Sequence, residues 1–152
     1  MAKDYRTTKH RKFLIQYHVI LVCKYRKQLI TKCGRLVKSY LERYAMKTNV
    51  DVEIVETDKD HIHILLCLNS LNFNMERWII GFKQFTTNQL YYHAHPALVA
   101  YLKKHFWGKN TFWSDGAFVT SIGNVSEDIV RKYSTFYNQT KCDIIAPKKK
   151  RS

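Results

Sequence analysis

The sequence predicts an α+β fold: an antiparallel sheet of four to five strands with helices mainly on one face. Three observations predict it. Short β-branched runs alternate between apolar and polar residues, two long stretches carry apolar residues at helical spacing, and a short polar turn joins two of the runs. With 152 residues, 45% of them hydrophobic, the chain fits one domain over 1–152, with a basic arm at 1–12 and a basic tail at 141–152.

The first strand is predicted over residues 13–23, a long apolar run typical of a central strand. His18 lies within this run. Because its neighbours are apolar, His18 is predicted to be a hydrogen-bonded core histidine and not a metal ligand. Residues 32–47 then repeat apolar side chains at helical spacing, which predicts an amphipathic helix packed against the sheet.

Residues 51–57 and 60–66 are predicted to form a β-hairpin. Successive side chains of a strand point to opposite faces, so His61 and His63 share one face while the alternate apolar residues share the other and dock on helices. Two neutral imidazoles side by side can bind one divalent metal ion. The alternative is a pair of partly exposed strand histidines that bind no metal.

The second half of the chain is predicted to hold a helix from Met75 to roughly Tyr92, which Pro96 prevents from continuing. Phe112 and Trp113, together with residues 118–123, supply another strand. A last helix begins at Ser126, a good N-cap followed by two acidic residues.

In that last helix, Tyr133 and Tyr137 lie on one stripe, because they are four residues apart. By periodicity alone such a stripe belongs to the core, and Arg131 and Lys132 adjoin it.

Charge is the clearest compositional feature. The chain has 26 Lys and Arg against 12 Asp and Glu, a formal net charge of +14 that attracts polyanions. Nucleic acid is therefore the first partner expected, and a basic surface kept for solubility is the alternative. Two segments mix cations with aromatic rings, as proteins that hold single strands do: Lys24, Tyr25 and Arg26, and Lys103, Lys104, Phe106, Trp107 and Lys109. For the second segment the alternative is a surface loop whose Phe106 and Trp107 cap the core.

Several classes of protein are not indicated. The four cysteines show no CxxC spacing, so neither a zinc knuckle nor a disulfide framework is expected. No run is long enough to span a membrane and the N-terminus lacks a signal-peptide pattern, so a cytoplasmic protein is expected, which binding to DNA would associate with the nucleoid. No Gly-rich phosphate motif appears, and no nucleotide cofactor is implied.

Five blocks in this order resemble the small single-tyrosine HUH transposases of the TnpA type, found in the smallest bacterial insertion sequences. The resemblance spans roughly residues 11–140, and its blocks are Tyr17-His18 with Cys23-Lys24-Tyr25-Arg26, Lys59-Asp60-His61-Ile62-His63-Ile64-Leu65, Phe112-Trp113-Ser114, Thr120-Ser121-Ile122-Gly123, and Val125-Ser126-Glu127 with Arg131-Lys132-Tyr133. It implies the ferredoxin- or RRM-like HUH fold. It also implies a DNA transposase that cleaves and rejoins single-stranded DNA.

The resemblance assigns roles to residues. It makes His61 and His63 ligands of a divalent cation, Mg²⁺ or Mn²⁺, and Tyr133 the nucleophile that forms a 5′-phosphotyrosine link. The family places a glutamine one helical turn after the tyrosine as third ligand, but this sequence has Tyr137 there and Gln139 two residues later. Gln139 is rotated about 200° from Tyr137 on an ideal helix. Three alternatives follow: Tyr137 supplies the third ligand, the helix end bulges so that Gln139 supplies it, or the site is weakened or inactive.

The resemblance further implies single-stranded DNA with hairpin ends as partner, and a homodimer in which the tyrosine helix of one chain completes the histidine site of the other. Two other functions remain open from the residues. One is a non-catalytic module that binds single-stranded DNA or RNA by stacking on an RRM-like sheet. The other is a metal-dependent hydrolase that uses water where the transposase uses tyrosine.

Overall fold

The computed structural model of the protein describes residues 5–122. None of the helices in this range is long and apolar enough to cross a membrane. The elements in this range, in chain order, are β1 (Arg6–Thr7), β2 (Lys12–Phe13), β3 (Gln16–Val22), α1 (Ile30–Lys47), β4 (Val50–Thr57), β5 (His61–Leu68), α2 (Met75–Tyr92), α3 (Pro96–His105) and β6 (Phe118–Ile122).

The main sheet has four strands in the order β4-β5-β3-β6, and every neighbouring pair is antiparallel. Strands β3 and β4 flank β5 and are joined through α1, while β5 and β6 flank β3 and are joined through α2 and α3. This is the split β-α-β arrangement of ferredoxin-like folds. The predicted α+β fold, an antiparallel sheet with helices on one face, is confirmed.

The two faces of the sheet differ in what they carry. On one face Val19 of β3 and Ile64 of β5 join a single buried cluster with side chains from all three described helices, such as Val37, Phe82 and Leu102. The opposite face carries His18, His61 and His63, none of which belongs to that cluster. The predicted docking of the alternate apolar residues of β5 on the helices is therefore confirmed.

Helix and hairpin bounds agree closely with the sequence expectation. Asn74 caps α2, because its side-chain Oδ1 accepts a hydrogen bond from the backbone N–H of Arg77 at 3.1 Å. The β4–β5 hairpin closes with the Asp58 N–H donating to the carbonyl oxygen of His61 at 2.9 Å.

Two strand predictions are wrong in part. Phe13 belongs to β2, which pairs with β1 in a separate two-stranded ribbon, so the central strand begins only at Gln16. Phe112 and Trp113 form no strand. Both are buried, and Trp113 makes one isolated bridge to Cys23 while its indole Nε1 donates to Thr86 Oγ1 at 2.7 Å. Two backbone hydrogen bonds accompany this bridge, from the Lys24 N–H to the carbonyl oxygen of Phe112 and from the Ser114 N–H to that of Val22, both at 2.8 Å, so the pairing with β3 is limited to this one position.

The helix beginning at Pro96 was not predicted. Pro96 stops α2 from continuing but also starts α3, because a proline at the first helical position loses no hydrogen bond. His95 caps this helix by accepting from the Ala97 N–H at 3.1 Å. The segment from Tyr101 to His105 is consequently helical and not a loop.

Several predictions lie outside the described residues. They are Gly123 at the end of the last strand, the helix beginning at Ser126, Arg131, Lys132, Tyr133, Tyr137 and Gln139 within it, and the basic tail at 141–152.

Candidate functional site

Strand β5 places two imidazoles side by side. His61 lies opposite Val22 of β3, and His63 lies opposite Ile20. Their ring centroids are 4.9 Å apart with the ring planes at 74°, and both side chains are buried, His61 with 5% and His63 with 2% of its surface exposed. Imidazoles at this separation can each give one nitrogen to the same divalent cation.

A carboxylate supports the first imidazole. His61 Nδ1 lies 2.6 Å from Asp60 Oδ1, and the other carboxylate oxygen, Oδ2, lies 3.2 Å from a terminal nitrogen of Arg26. Asp60 is itself buried. A carboxylate can only accept a hydrogen bond from the imidazole, so it selects the tautomer with the proton on Nδ1 and directs Nε2 as the ligating nitrogen.

A second histidine supports the other imidazole. His63 Nδ1 lies 3.3 Å from His18 Nε2, and the two rings stack with centroids 5.5 Å apart and planes at 16°. Burial, together with the neighbouring His63, lowers the pKa of His18 to about 4, so its ring is neutral at neutral pH. The prediction that His18 is a buried, hydrogen-bonded histidine is confirmed.

The chemistry of these side chains fits a divalent cation. Neutral imidazole is a common ligand for transition metals, and Mn²⁺ accepts it more readily than Mg²⁺ does. Within residues 5–122, no group of three or more His, Cys, Asp and Glu side chains is arranged to hold a metal ion. Of the predicted ligands, His61 and His63 lie within the described residues, whereas Tyr137 and Gln139 lie beyond them, as does Tyr133.

The basic turn after β3 has two residues in the left-handed backbone region, Tyr25 at φ 57° and Arg26 at φ 55°. This conformation turns Tyr25 outward, with 76% of its surface exposed, and brings Arg26 back onto Asp60. Lys24 lies over the Tyr25 ring, 5.5 Å from its centroid, and pairs with Asp115 at 3.1 Å. Of the three predicted DNA contacts in this turn, Tyr25 is the most exposed and could stack on a base. Arg26 instead pairs with Asp60, the carboxylate that contacts His61.

The second predicted DNA-contacting segment, 103–109, also contains both packed and exposed side chains. Phe106 packs against the core cluster, with Lys27 5.3 Å above its ring, whereas Trp107 is 98% exposed. Lys103 and Lys104 are exposed in the last turn of α3, and Lys109 is exposed after Gly108. Phe106 therefore has the core-capping role and Trp107 is open to stacking.

A groove of about 850 Å³, lined by both polar and apolar side chains, was not predicted from the sequence. One wall is a stripe along α2 and the other is the segment 109–115. Lys83, which lines the groove, donates to the carbonyl oxygens of Ser114 and Gly116, both at 2.8 Å. The lining side chains that can contact a nucleic acid are Lys24, Lys83, Gln84, Thr87, Asn88, Lys109 and Asn110. The four α2 residues among them follow helical spacing, a signal that could have identified this stripe.

A protein family and two solved structures resemble this chain. The family model described as "Transposase IS200 like" matches residues 11–135. A crystal structure of a candidate transposase from Deinococcus radiodurans superposes with a TM-score of 0.68 at 18% identity, covering 88% of this chain and 96% of that one. A REP-associated tyrosine transposase bound to a REP hairpin superposes with a TM-score of 0.57 at 12% identity, covering 90% of this chain and 74% of the other. No curated protein matches the sequence significantly.

Proposed function

Since the chain belongs to the IS200-like transposase family, we propose that it cleaves and rejoins single-stranded DNA through a covalent link between Tyr133 and a 5′-phosphate. The observation that carries this proposal is the pair His61 and His63, adjacent on β5 and each supported at Nδ1 by a buried partner.

The proposed step is an in-line displacement at phosphorus. The Tyr133 oxygen bonds to the scissile phosphorus as the bond to the 3′-oxygen breaks, the phenol proton passes to solvent, and the departing strand takes up a proton to become a 3′-hydroxyl. A phenol has an ordinary pKa near 10 and is a weak nucleophile at neutral pH, so nearby positive charge is required. Rejoining reverses the step, and no nucleotide cofactor is consumed.

A divalent cation, Mg²⁺ or Mn²⁺, would supply Lewis-acid neutralisation of the phosphate charge when bound. His61 and His63 would hold it through nitrogen, and Tyr137 or Gln139 would provide a further oxygen. Asp60 fixes the tautomer of His61, and His18 Nε2 lies 3.3 Å from Nδ1 of His63, so both imidazoles would have a buried partner before a cation binds.

The proposed substrate is single-stranded DNA that carries a hairpin. A structural relative is bound to a REP hairpin, and the +14 charge of this chain favours a polyanion. Exposed Trp107 and Tyr25 would stack on unpaired bases, and cations would follow the backbone. The cations proposed for that role are Lys24, Lys103, Lys104, Lys109, Arg131 and Lys132.

Covalent capture tests the chemistry. Labelled single-stranded DNA from element ends, incubated with the protein and Mn²⁺, should give an adduct that survives denaturation and disappears in Tyr133→Phe. Tyr92→Phe is the matched control, because Tyr92 is an exposed tyrosine on α2 and should leave the adduct unchanged.

The same assay separates the alternative functions. Binding without any adduct on every end-derived substrate would favour the non-catalytic module. Cleavage that persists in Tyr133→Phe but is lost in His61→Ala would favour a hydrolase that uses water.

We also propose a homodimer in which Tyr133 acts on the histidine pair of the partner subunit. Mixing His63→Ala with Tyr133→Phe tests this arrangement. Exchange of subunits should restore adduct formation, because the mixed dimer contains one intact composite site. If the tyrosine acts within its own chain, the mixture stays inactive.

A further inference from the structure

The support of His63 differs in kind from the support of His61. Asp60 can only accept the hydrogen bond of His61, so the tautomer of that ring is determined. The contact between His63 Nδ1 and His18 Nε2 joins two imidazoles, and either ring can be the donor. Which of them donates decides which nitrogen of His63 carries the proton.

The two possibilities have opposite consequences for a cation. If His63 donates from Nδ1, its Nε2 carries a lone pair and can ligate. If His18 donates from Nε2, the neutral His63 ring carries its proton on Nε2 and cannot ligate through that atom. Only the first arrangement gives His61 and His63 the same tautomer, with the same nitrogen of each ring as ligand.

We propose that His18 is a positioning residue of the metal site, which accepts the Nδ1–H of His63 and thereby presents His63 Nε2 to the cation. The inference rests on the proposed metal-dependent function of His61 and His63. It gives His18, on β3, a role in the metal site, whereas the sequence predicted only a core role for this residue.

The placement of His18 supports this role. It is 1% exposed, and its chain neighbours Val19 and Ile20 are buried aliphatic residues, so an aliphatic residue would fill the position without a polar group to satisfy. Its nearest cross-strand partner is Leu65, which puts the ring diagonal to His63 on the same face of the sheet. The planes of the two rings differ by 16°, and Nε2 of His18 lies 3.3 Å from Nδ1 of His63.

The tautomer of His63 can be measured without any metal or DNA. Long-range ¹H–¹⁵N spectra of the metal-free full-length chain at neutral pH should show His63 protonated on Nδ1 and His18 with an unprotonated Nε2. Finding His63 protonated on Nε2 would overturn the proposal, because His18 would then be the donor.

Two variants test the consequence for metal binding. His18→Gln places a carbonyl oxygen near the position of Nε2 and should keep Mn²⁺ affinity, measured by titration calorimetry and by the spin-resonance signal of free Mn²⁺, close to that of the original chain. His18→Phe keeps the ring but removes the acceptor, and should weaken Mn²⁺ binding by about 10- to 100-fold. The control is His93→Phe, at an exposed position after α2, which should change nothing.

The outcomes separate this proposal from the proposed function. Equal Mn²⁺ affinity in His18→Phe and His18→Gln would overturn the positioning role even if the chain cleaves DNA. If the chain binds no Mn²⁺ but His63 is protonated on Nδ1, the hydrogen bond from His63 to His18 stands, and the proposed metal-dependent function is overturned. If His18→Phe does not fold, the tautomer of His63 in the original chain and the Mn²⁺ affinity of His18→Gln still test the positioning role.

Discussion

The two faces of the sheet are built from the same strands but bury different chemistry. On the helix-covered face, Ile62 and Ile64 pack among aliphatic and aromatic side chains. The other face, here called the histidine face, carries His61 and His63, which alternate with the isoleucines along β5. Both histidines are also buried, but their nitrogens meet polar partners. The first face needs only volume and shape, while the second needs hydrogen bonds whose direction is fixed.

This difference separates stability from function within one strand. Burial of apolar surface is not directional, so the helix-covered face tolerates volume-conserving changes. A buried imidazole is favourable only when its nitrogens have partners of the right kind, so each polar partner on the histidine face can be tested individually.

The largest expected effect on stability comes from the helix-covered face. Ile64→Ala should lower the free energy of unfolding by about 2–5 kcal/mol, because it leaves a cavity beneath the helices. The folded fraction should retain its Mn²⁺ affinity. Urea unfolding measures the loss, and Val119→Ala, at a position 38% exposed on β6, is the control with a smaller loss. A large drop in metal affinity would show that the faces are not independent.

The histidine face should make stability depend on pH. Burial lowers the pKa of His18 from 6.5 to about 4. Between pH 6.5 and pH 4, this side chain is therefore protonated in the unfolded chain but neutral in the folded chain. Stability should therefore fall as pH drops through this window, by at most about 3 kcal/mol from this residue. Unfolding curves at pH 7 and pH 4 measure the change. His18→Gln should reduce it, and an unchanged difference would assign the effect to other groups.

Removing the negative charge of Asp60, which contacts His61, should change metal affinity more than it changes stability. Asp60→Asn should weaken Mn²⁺ binding by about 10- to 100-fold, because the neutral amide no longer stabilises the Nδ1–H tautomer as strongly. Calorimetry measures the affinity. Asp51→Asn removes a carboxylate that pairs with Arg6 at the sheet edge, and it should leave Mn²⁺ binding unchanged.

An effect of similar size concerns DNA contact outside the histidine face. Trp107 is exposed, whereas Trp78 and Trp113 are buried, so fluorescence quenching by single-stranded DNA should report Trp107 alone. Trp107→Ala should weaken binding by about 1–3 kcal/mol through lost stacking. Trp107→Phe should keep most of the affinity and lose the quenching. Quenching that persists in both variants would place the DNA elsewhere.

Prediction from sequence succeeded where the signal is local. The period-two pattern of β5 placed His61 and His63 on one face, and helical periodicity located α1 and α2. It failed at α3, because a proline that ends one helix can begin the next. It also failed at Trp113, whose apolar ring marks a core contact but not a strand.

The sequence by itself determined the alternation of β5, the net charge of +14 and the family, because these depend on residue order and composition alone. Tertiary structure decided the partner of His63, since His18 and His63 are 45 residues apart and meet only through the register of β3 against β5. It also decided that Phe106 turns inward while Trp107 remains exposed. Hydrogen-bond direction and burial depend on what lies across the sheet, and no local pattern contains that information.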